Sequence, residues 1–375
     1  MDSILSCPVI HFWMSGIMIN KAFILTVCSL GSFTTGCLHP KIGPHSLPHD
    51  RADYSLSLSD SWKEQTLLNI VKFRYVDPPV FVDVGSIVSS YSLSQNASLG
   101  GNFVPSGSNS ASIGGSVAFS TSPTVTYTPL TGSAYVKGLV TPLPPLLVFA
   151  AIQNGVPADF ILLASVTSIN GLRNQNVSLE GIKPADAEFH RVRELMRDIQ
   201  ESGAVQLYVK VDANSQQTNI IALRSKDIAP DILAEIMELR RLLHLNPDAT
   251  ELKLVAAPLP SSDTEIAVQT RSMIQLLATM AAQVEVPSED LARHRAFPGF
   301  ETGRPVPGIE PLIRIQSAKK KPEGSFVSVY YRNTWFWIDD GDLFSKRAFA
   351  QLMQLFTMTD TGAREGQPVL TIPTR

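Results

Sequence analysis

Hydrophobic residues recur at helical spacing in several segments, and these segments predict the helices. Between residues 62 and 75 the apolar positions share one helix face, with Ser59 or Asp60 as the candidate N-cap. Asp77-Pro78-Pro79 ends this helix. Further helices are predicted over 146–152, 158–169, 184–201, 232–245, 271–284 and 343–356. The first two of these are very apolar but too short to cross a bilayer.

Short apolar stretches bounded by polar turns predict strands. They cover 80–82, 205–211, 218–223, 252–256, 264–268, 312–315, 326–331, 335–338 and 369–372. Between 183 and 258 the order is helix, hairpin, helix, strand, which predicts two helices on one face of an antiparallel sheet. The expected fold class is therefore α+β, with antiparallel sheets, helices packed on one face and one long amphipathic β-hairpin.

Residues 88–122 carry that hairpin in an unusually regular pattern. Apolar and small polar residues alternate from Tyr91 to Phe103, and after a turn around Pro105 they alternate again from Ala111 to Ser120. Strict alternation predicts two strands, each with one apolar and one polar face. We expect Pro123 to end the second strand and residues 124–128 to extend the sheet.

Two interpretations of this hairpin remain open. No charged residue lies between Asp83 and Lys137. The hairpin could cover a soluble core, or it could cross a membrane together with hairpins from identical subunits around a shared pore. About 9–11 residues suffice for a membrane-crossing strand, so length allows the second interpretation. The thin apolar face, which includes Gln95, favours the first.

Composition and charge are those of a globular protein. Of 375 residues 17% are charged, and the formal net charge is -3. Nucleic-acid binding requires a clustered basic face, so no nucleic-acid partner is expected. The densest basic run, Lys319-Lys320-Lys321, precedes Pro322 and is typical of a solvated loop.

The cysteines and the residues before them predict export. The three cysteines are Cys7, Cys28 and Cys37, so the rest of the chain has no disulfide and no thiol nucleophile. Lys21 precedes an apolar stretch over 22–33 that is typical of a secretory signal. Residues 1–15 contain no lysine or arginine and fit no signal pattern, so we expect translation to start at Met18 or Met14.

The end of this stretch resembles the lipobox of bacterial lipoproteins. Thr35 and Gly36 are small and precede Cys37, while Thr34 departs from the branched apolar residue usual there. The resemblance implies cleavage before Cys37 and lipidation of its sulfur by diacylglycerol and palmitate. Cys28 is the weaker candidate, because Val27 is large for the position before the cut.

The same resemblance implies a location and a partner. Leu38, rather than aspartate, follows the cysteine, which favours the outer membrane, facing the periplasm, with the inner membrane as the alternative. The expected partners are the membrane itself, through the lipid anchor, and either further copies of the chain or another envelope protein. Residues 37–53 are rich in proline and glycine and are predicted to be a flexible tether. We favour the tether over a metal site made by its histidines, which are His39, His45 and His49.

Several further stretches resemble an uncharacterised, proteobacterial-type lipoprotein family. They are 61–65, 67–72, 123–130, 270–272, 335–340 and 345–346. The resemblance extends over most of the mature chain and implies no particular activity.

Few residues predict chemistry. Asp339, Asp340 and Asp342 could bind a hard cation, but capping of the helix that follows explains Asp340 and Asp342 without a metal and is favoured. Trp335 and Trp337 share one strand face, where core packing is favoured over stacking on a sugar or a partner.

Other signatures of catalysis are missing from the sequence. It contains no phosphate-binding glycine loop, no HExxH motif and no serine elbow. The isolated histidines His190, His244 and His294 are expected to be structural or solvated. We therefore assign no catalytic, cofactor or metal residue, and Cys37 is the single predicted site.

These observations predict five segments and three ranked hypotheses. The segments are a lipoprotein signal peptide (1–36), a tether (37–53), an N-terminal domain with the hairpin (54–175), an α+β domain (176–260) and a C-terminal α+β domain (261–375). The first hypothesis is a non-enzymatic envelope lipoprotein that acts by assembly or binding. The second is an oligomeric pore or secretion-channel subunit with 88–122 as a transmembrane β-hairpin. The third is a hydrolase with an unrecognised site.

Overall fold

The protein is α+β, as predicted. A computed structural model describes residues 47–102, 110–179, 181–211, 215, 217–224, 228–300 and 306–359. The chain divides into two units, one containing Val82–Thr128 and the other containing Ser59–Phe81 and the described residues from Pro129 onward. Each unit is described by itself.

The first helix is longer than predicted. Helix α1 (Leu47–Arg74) begins well before Trp62, so the last part of the predicted flexible tether is helical. The residues that follow Arg51 are largely exposed. This part of the helix therefore has no buried apolar face from which it could be predicted. Pro48 lies in the first turn, where its missing N–H costs no hydrogen bond.

Two long strands form a sheet of their own. Strand β1 (Val82–Asn102) has 21 residues and β2 (Ser110–Pro129) has 20, and the two pair in a two-stranded sheet. The predicted strands are therefore present, whereas their amphipathic character stays a prediction. Pro123 was expected to end the second strand, but β2 continues to Pro129. A proline is accommodated in an outer strand when its nitrogen faces away from the paired neighbour.

Three short helices follow Pro129 in the second unit. They are α2 (Ser133–Val140), α3 (Pro145–Gln153) and α4 (Ala158–Ser165), and strand β3 (Val166–Ile169) follows α4 directly. The helix predicted to continue through 169 is wrong in its last four residues. β-Branched residues at 166, 167 and 169 favour the extended form, and pairing with a distant strand decides it.

A six-stranded sheet forms the centre of this unit. Besides β3 it contains β4 (Leu172–Arg173), β7 (Val205–Val211), β8 (Gln217–Leu223), β9 (Glu251–Val255) and β10 (Glu265–Thr270), in the order β4-β3-β10-β9-β8-β7. Strands β5 (Asn176–Val177) and β6 (Ile182–Lys183) form a separate small hairpin.

The sheet is mixed rather than purely antiparallel. Strands β9 and β10 run parallel, whereas the other neighbours in the sheet are antiparallel. Strand β3 precedes the predicted boundary at 175/176 and β10 follows the one at 260/261, so both boundaries fall inside this sheet. The sequence pattern could not reveal this, because it identifies strands and not their partners.

Two longer helices pack against the sheet, as predicted. They are α5 (Ala187–Glu201) and α6 (Pro230–Leu242). The predicted inner face of α5 is confirmed, since all five of its members are buried: Phe189, Val192, Leu195, Met196 and Ile199. These side chains join Ile221, Leu252 and Val268 of the sheet in one core.

The rest of the second unit surrounds another core. It consists of α7 (Met273–Ala281), the short α8 (Ser288–Ala292), α9 (Leu343–Thr359) and a three-stranded antiparallel sheet of β11 (Gln316–Ala318), β13 (Thr334–Asp339) and β12 (Ser325–Tyr331), in that order. The strand predicted over 312–315 begins later, and Ile315 makes only a single bridge to Val284. The strand predicted over 369–372 lies outside the described residues.

An ion pair joins α5 to the segment before β11. Arg193 donates to both carboxylate oxygens of Glu310, over 2.9 and 3.0 Å, and His190 lies 3.1 Å from the same carboxylate. Arg193 therefore holds the pKa of Glu310 below its usual value.

This pair makes stability dependent on pH. A carboxylate with a lowered folded-state pKa stabilises the fold above its unfolded-state pKa, and the contribution is lost as the pH falls through the folded-state pKa. Glu310 is half exposed, so we expect only about 0.5–1 kcal/mol. Between pH 7 and pH 3, the free energy of unfolding in urea should fall by about 0.5–1 kcal/mol more in wild type than in Glu310→Gln. Equal losses in the two proteins would contradict this assignment.

Candidate functional site

A cleft of about 880 Å³ opens where three parts of the second unit meet, and most of its lining residues are polar, although apolar side chains also contribute. Its lining comes from strands β3, β4 and β10, from the segment around the β5–β6 hairpin, and from α7. Ser168 lies directly opposite Gln269 in one strand pair and opposite Arg173 in the other, so the three side chains share one sheet face. This register places polar side chains along the cleft.

The inner wall of the cleft, formed by Asn174, Gln175 and Arg271, is held by the end of α4. A helix leaves its last four carbonyl groups without partners inside the helix, and here they are buried. Asn174 donates to the oxygens of Leu162 and Leu163 over 3.2 and 3.0 Å. The guanidinium of Arg271 donates to the oxygens of Leu163 and Ala164 over 2.7 and 2.5 Å.

Arg271 is a buried cation without a carboxylate among its hydrogen-bond partners. It is 3% exposed, and its third hydrogen bond goes to the carbonyl oxygen of Gln175 over 2.5 Å. Burial lowers the pKa of Arg271 to about 10, which keeps it charged at neutral pH. The negative end of the α4 dipole and the carbonyl oxygens offset part of this charge.

Neighbouring amides fix the position of the wall. The side chain of Gln175 accepts from the backbone nitrogen of Glu310 over 2.8 Å and donates to its oxygen over 2.6 Å. Ser272 and Gln275 form a capping box at the start of α7, directly after Arg271. The cleft is therefore lined by side chains that are already held in place.

An exposed ion pair forms the outer rim. Arg173 donates to both carboxylate oxygens of Asp186 over 3.3 and 3.0 Å, and its backbone nitrogen donates to Asp186 over 2.8 Å. These hydrogen bonds hold the pKa of Asp186 below its usual value. Asp186 is the one carboxylate among the lining residues, which also include Lys183.

The carboxylate of this rim is poorly suited to proton transfer. A general acid or base needs a pKa near the working pH, and Asp186 is shifted away from it. The lining contains no histidine. The lining therefore offers neither a histidine nor a carboxylate whose pKa is raised towards neutral pH.

The predicted lipidation site, Cys37, lies outside the described residues, as do His39 and His45. His190 makes the ion pair with Glu310 described above. His244 and His294 adopt positive φ angles of 53° at turns after helices. His190, His244 and His294 are not among the residues that line the cleft.

Of the three aspartates before α9, Asp342 caps the helix, as one of the two expected candidates, whereas Asp339 and Asp340 make other contacts. Asp342 accepts from the backbone nitrogen of Ser345 over 3.0 Å, and Asp339 accepts from that of Gly341 over 2.8 Å. Asp340 forms an ion pair with Lys346 at 2.7 Å. Among the described residues no group of three or more potential ligand side chains is placed to hold a metal ion.

The prediction for Trp335 and Trp337 is wrong. Phe336, which lies between them, is fully buried, whereas both tryptophans are half-buried on the opposite face of β13. The predicted alternation of the strand was correct, but the buried side chains are Thr334, Phe336 and Ile338 rather than the tryptophans. The amine of Lys321, the last lysine of the exposed loop at 319–321, lies 5.2 Å from the ring centre of Trp335.

None of the cationic residues of the cleft was predicted from the sequence as a site residue. Arg173, Lys183 and Arg271 lie in segments that are far apart in sequence and meet only through the pairing of β3 with β10. One signal was present, because the capping sequence at Ser272–Gln275 marks the residue before it as the entry to a helix.

Comparisons with other proteins give no further indication of function. No protein-family model, curated protein or solved structure matches the chain. Within the described part of the chain, no helix combines the length and the hydrophobicity that a membrane crossing requires.

Proposed function

We propose that the protein is a non-enzymatic, membrane-anchored envelope lipoprotein, attached through Cys37, that acts by assembly with further copies of itself. The anchor follows from the resemblance of residues 34–37 to a lipobox. The observation that supports assembly is the sheet formed by β1 and β2.

A sheet of two strands is an incomplete structure. An isolated two-stranded sheet is marginally stable in water, and three or more strands, or a packed helix, are normally needed. Each strand has one edge whose backbone N–H and C=O groups are not used by the other strand. Strands from neighbouring copies would pair with these edges, and a length of 20 residues provides many such hydrogen bonds.

Length and charge favour a channel subunit as the second candidate. Strand β1 extends over about 70 Å at about 3.3 Å per residue, more than twice the thickness of a bilayer core. No charged residue lies between Asp83 and Lys137, so most of this length could enter a bilayer without burying a charge. In this candidate the assembled hairpins cross the outer membrane.

The proposal predicts a change of mass when the hairpin is removed. We expect the full chain, extracted in detergent, to give a discrete oligomer by native mass spectrometry. Replacing residues 92–120 by a short glycine–serine linker should give a monomer, because the strand edges that pair between copies are lost. The thermal unfolding of the second unit should be unchanged. A wild-type monomer, or an oligomer that survives the deletion, contradicts assembly through the hairpin.

Cysteine labelling separates the two candidates. No cysteine follows Cys37, so an introduced cysteine is the single thiol of that part of the chain. In vesicles, a membrane-crossing hairpin should label with a water-soluble maleimide at Ser112→Cys but not at Ile113→Cys, since alternate residues face water and lipid. Thr141→Cys, which is exposed in the second unit, is the control that labels in both candidates. Equal labelling of residues 112 and 113 rejects the channel.

Anchoring is tested separately. Cys37→Ala should abolish labelling by radioactive palmitate and release the protein from the membrane fraction. Retention of the label in this variant would remove the envelope assignment.

A further inference from the structure

We infer that the polar cleft binds an anionic, hydroxyl-rich small molecule, such as a sugar that carries a phosphate or a carboxylate group. This inference rests on the cleft alone and does not require the hairpin or the anchor.

The charges in the cleft are unbalanced. Its lining contains three cationic residues and one carboxylate. Arg173 and Asp186 satisfy each other through two hydrogen bonds between their side chains. Lys183 and Arg271 therefore remain without a carboxylate among the lining residues, and an anionic group of a ligand would supply one.

Arg271 has donors to offer such a group. A guanidinium carries five N–H donors, and three hydrogen bonds to carbonyl oxygens leave two donors over. Its surroundings are low in dielectric constant because it is buried, which strengthens an interaction with an anion. Hydrogen bonds between an arginine and an oxyanion are among the strongest in proteins.

Neutral polar groups indicate the rest of the ligand. The Oε1 atom of Gln269 accepts from the hydroxyl of Ser168 over 2.9 Å, which leaves the amide N–H₂ of Gln269 as a donor at an exposed position. Asn176 and Gln275 are also exposed in the lining. Amides both donate and accept, as a hydroxyl requires. A volume of about 880 Å³ falls within the usual range for small-molecule sites.

Arg271 also holds the end of α4, so the test varies exposed residues instead. Full-length protein in detergent is titrated with glucose 6-phosphate, glucuronate, glucose and inorganic phosphate by isothermal calorimetry. The two anionic sugars, glucose 6-phosphate and glucuronate, should bind at least tenfold more tightly than glucose, and glucose 6-phosphate should bind more tightly than inorganic phosphate.

Variants assign the binding to the cleft. Lys183→Gln should weaken binding of both anionic sugars about tenfold, since a hydrogen bond to a charged group contributes at least that factor. Gln269→Ala should weaken the binding of glucose 6-phosphate but leave the affinity for inorganic phosphate unchanged. Lys319→Gln, the same charge change on the exposed loop before β12, is the control and should bind as wild type does.

Three results overturn the inference. The first is failure of both anionic sugars to bind at millimolar concentration. The second is equal affinity for glucose and glucose 6-phosphate, which shows that charge does not matter. The third is an equal loss in Lys183→Gln and Lys319→Gln, which places the binding outside the cleft.

Discussion

Gly299→Ala should destabilise the second unit by about 3 kcal/mol or more. Gly299 has a φ of +53°, which an L-residue adopts at a cost of about 1–2 kcal/mol. A Cβ atom at this position would also overlap the guanidinium of Arg74. Arg74 cannot move aside cheaply, because it is fully buried and donates to the carbonyl oxygens of Ala282 and Pro298 over 2.9 and 2.6 Å.

A second glycine provides a matched control. Gly203 also has a positive φ, of 70°, but a Cβ atom there would meet no neighbour within 4 Å. Gly203→Ala should therefore cost only about 1–2 kcal/mol, from backbone strain alone. The free energies of unfolding of both variants, measured in urea, separate the two contributions. Equal losses would show that Arg74 yields to the added methyl group.

Arg271→Met should cost about 3 kcal/mol. The substitution removes three hydrogen bonds from the end of α4 and from Gln175, and leaves the buried oxygen of Ala164 without its donor. Each unsatisfied buried polar group costs about 1–3 kcal/mol, and the methionine side chain recovers part of this by filling the volume.

The control is an arginine at the surface of the same unit. Arg347 lies exposed on α9, so Arg347→Met should change stability by less than about 0.5 kcal/mol. Thermal unfolding of both variants, followed by circular dichroism, gives the comparison. A loss in Arg271→Met no larger than in Arg347→Met would mean that water replaces the guanidinium at the end of α4.

Most helices and strands of this fold could be predicted from the sequence, because the residues within each element largely determine it. Helix α5 was predicted with its buried face, since Phe189 and Ile199 follow the helical period. Strands β7 and β8 were predicted almost to the residue. In these cases the hydrophobic period, the turn residues and the tertiary structure all agree.

The failures occur where the partner lies far away in sequence. Residues 166–169 read as the continuation of an apolar helix, and only pairing with β10 makes them a strand. Phe336 and the tryptophans beside it fit either face of β13, and the position of α7 and α9 decides which set is buried. A pattern gives the period of an element but not the side on which its neighbours pack.

The candidate site was not predictable for the same reason. Its cationic residues come from segments near 173, 183 and 271, and each of them separately is typical of a surface loop or a helix cap. Burial of Arg271 follows from the unsatisfied end of α4, which exists only once the strand after it is formed.

The central place of β10 determines the order in which the second unit can fold. Strand β10 separates β3 from β9, and its partner Ile169 precedes Val268 by about a hundred positions. Neither half of the sheet can join the other until residue 270 has been synthesised and, in an exported chain, translocated. Closure over such a long loop is slow. Protection from hydrogen exchange should therefore appear first in the segment that contains α5, β7, β8, α6 and β9. Strand β3 should become protected later, when it pairs with β10.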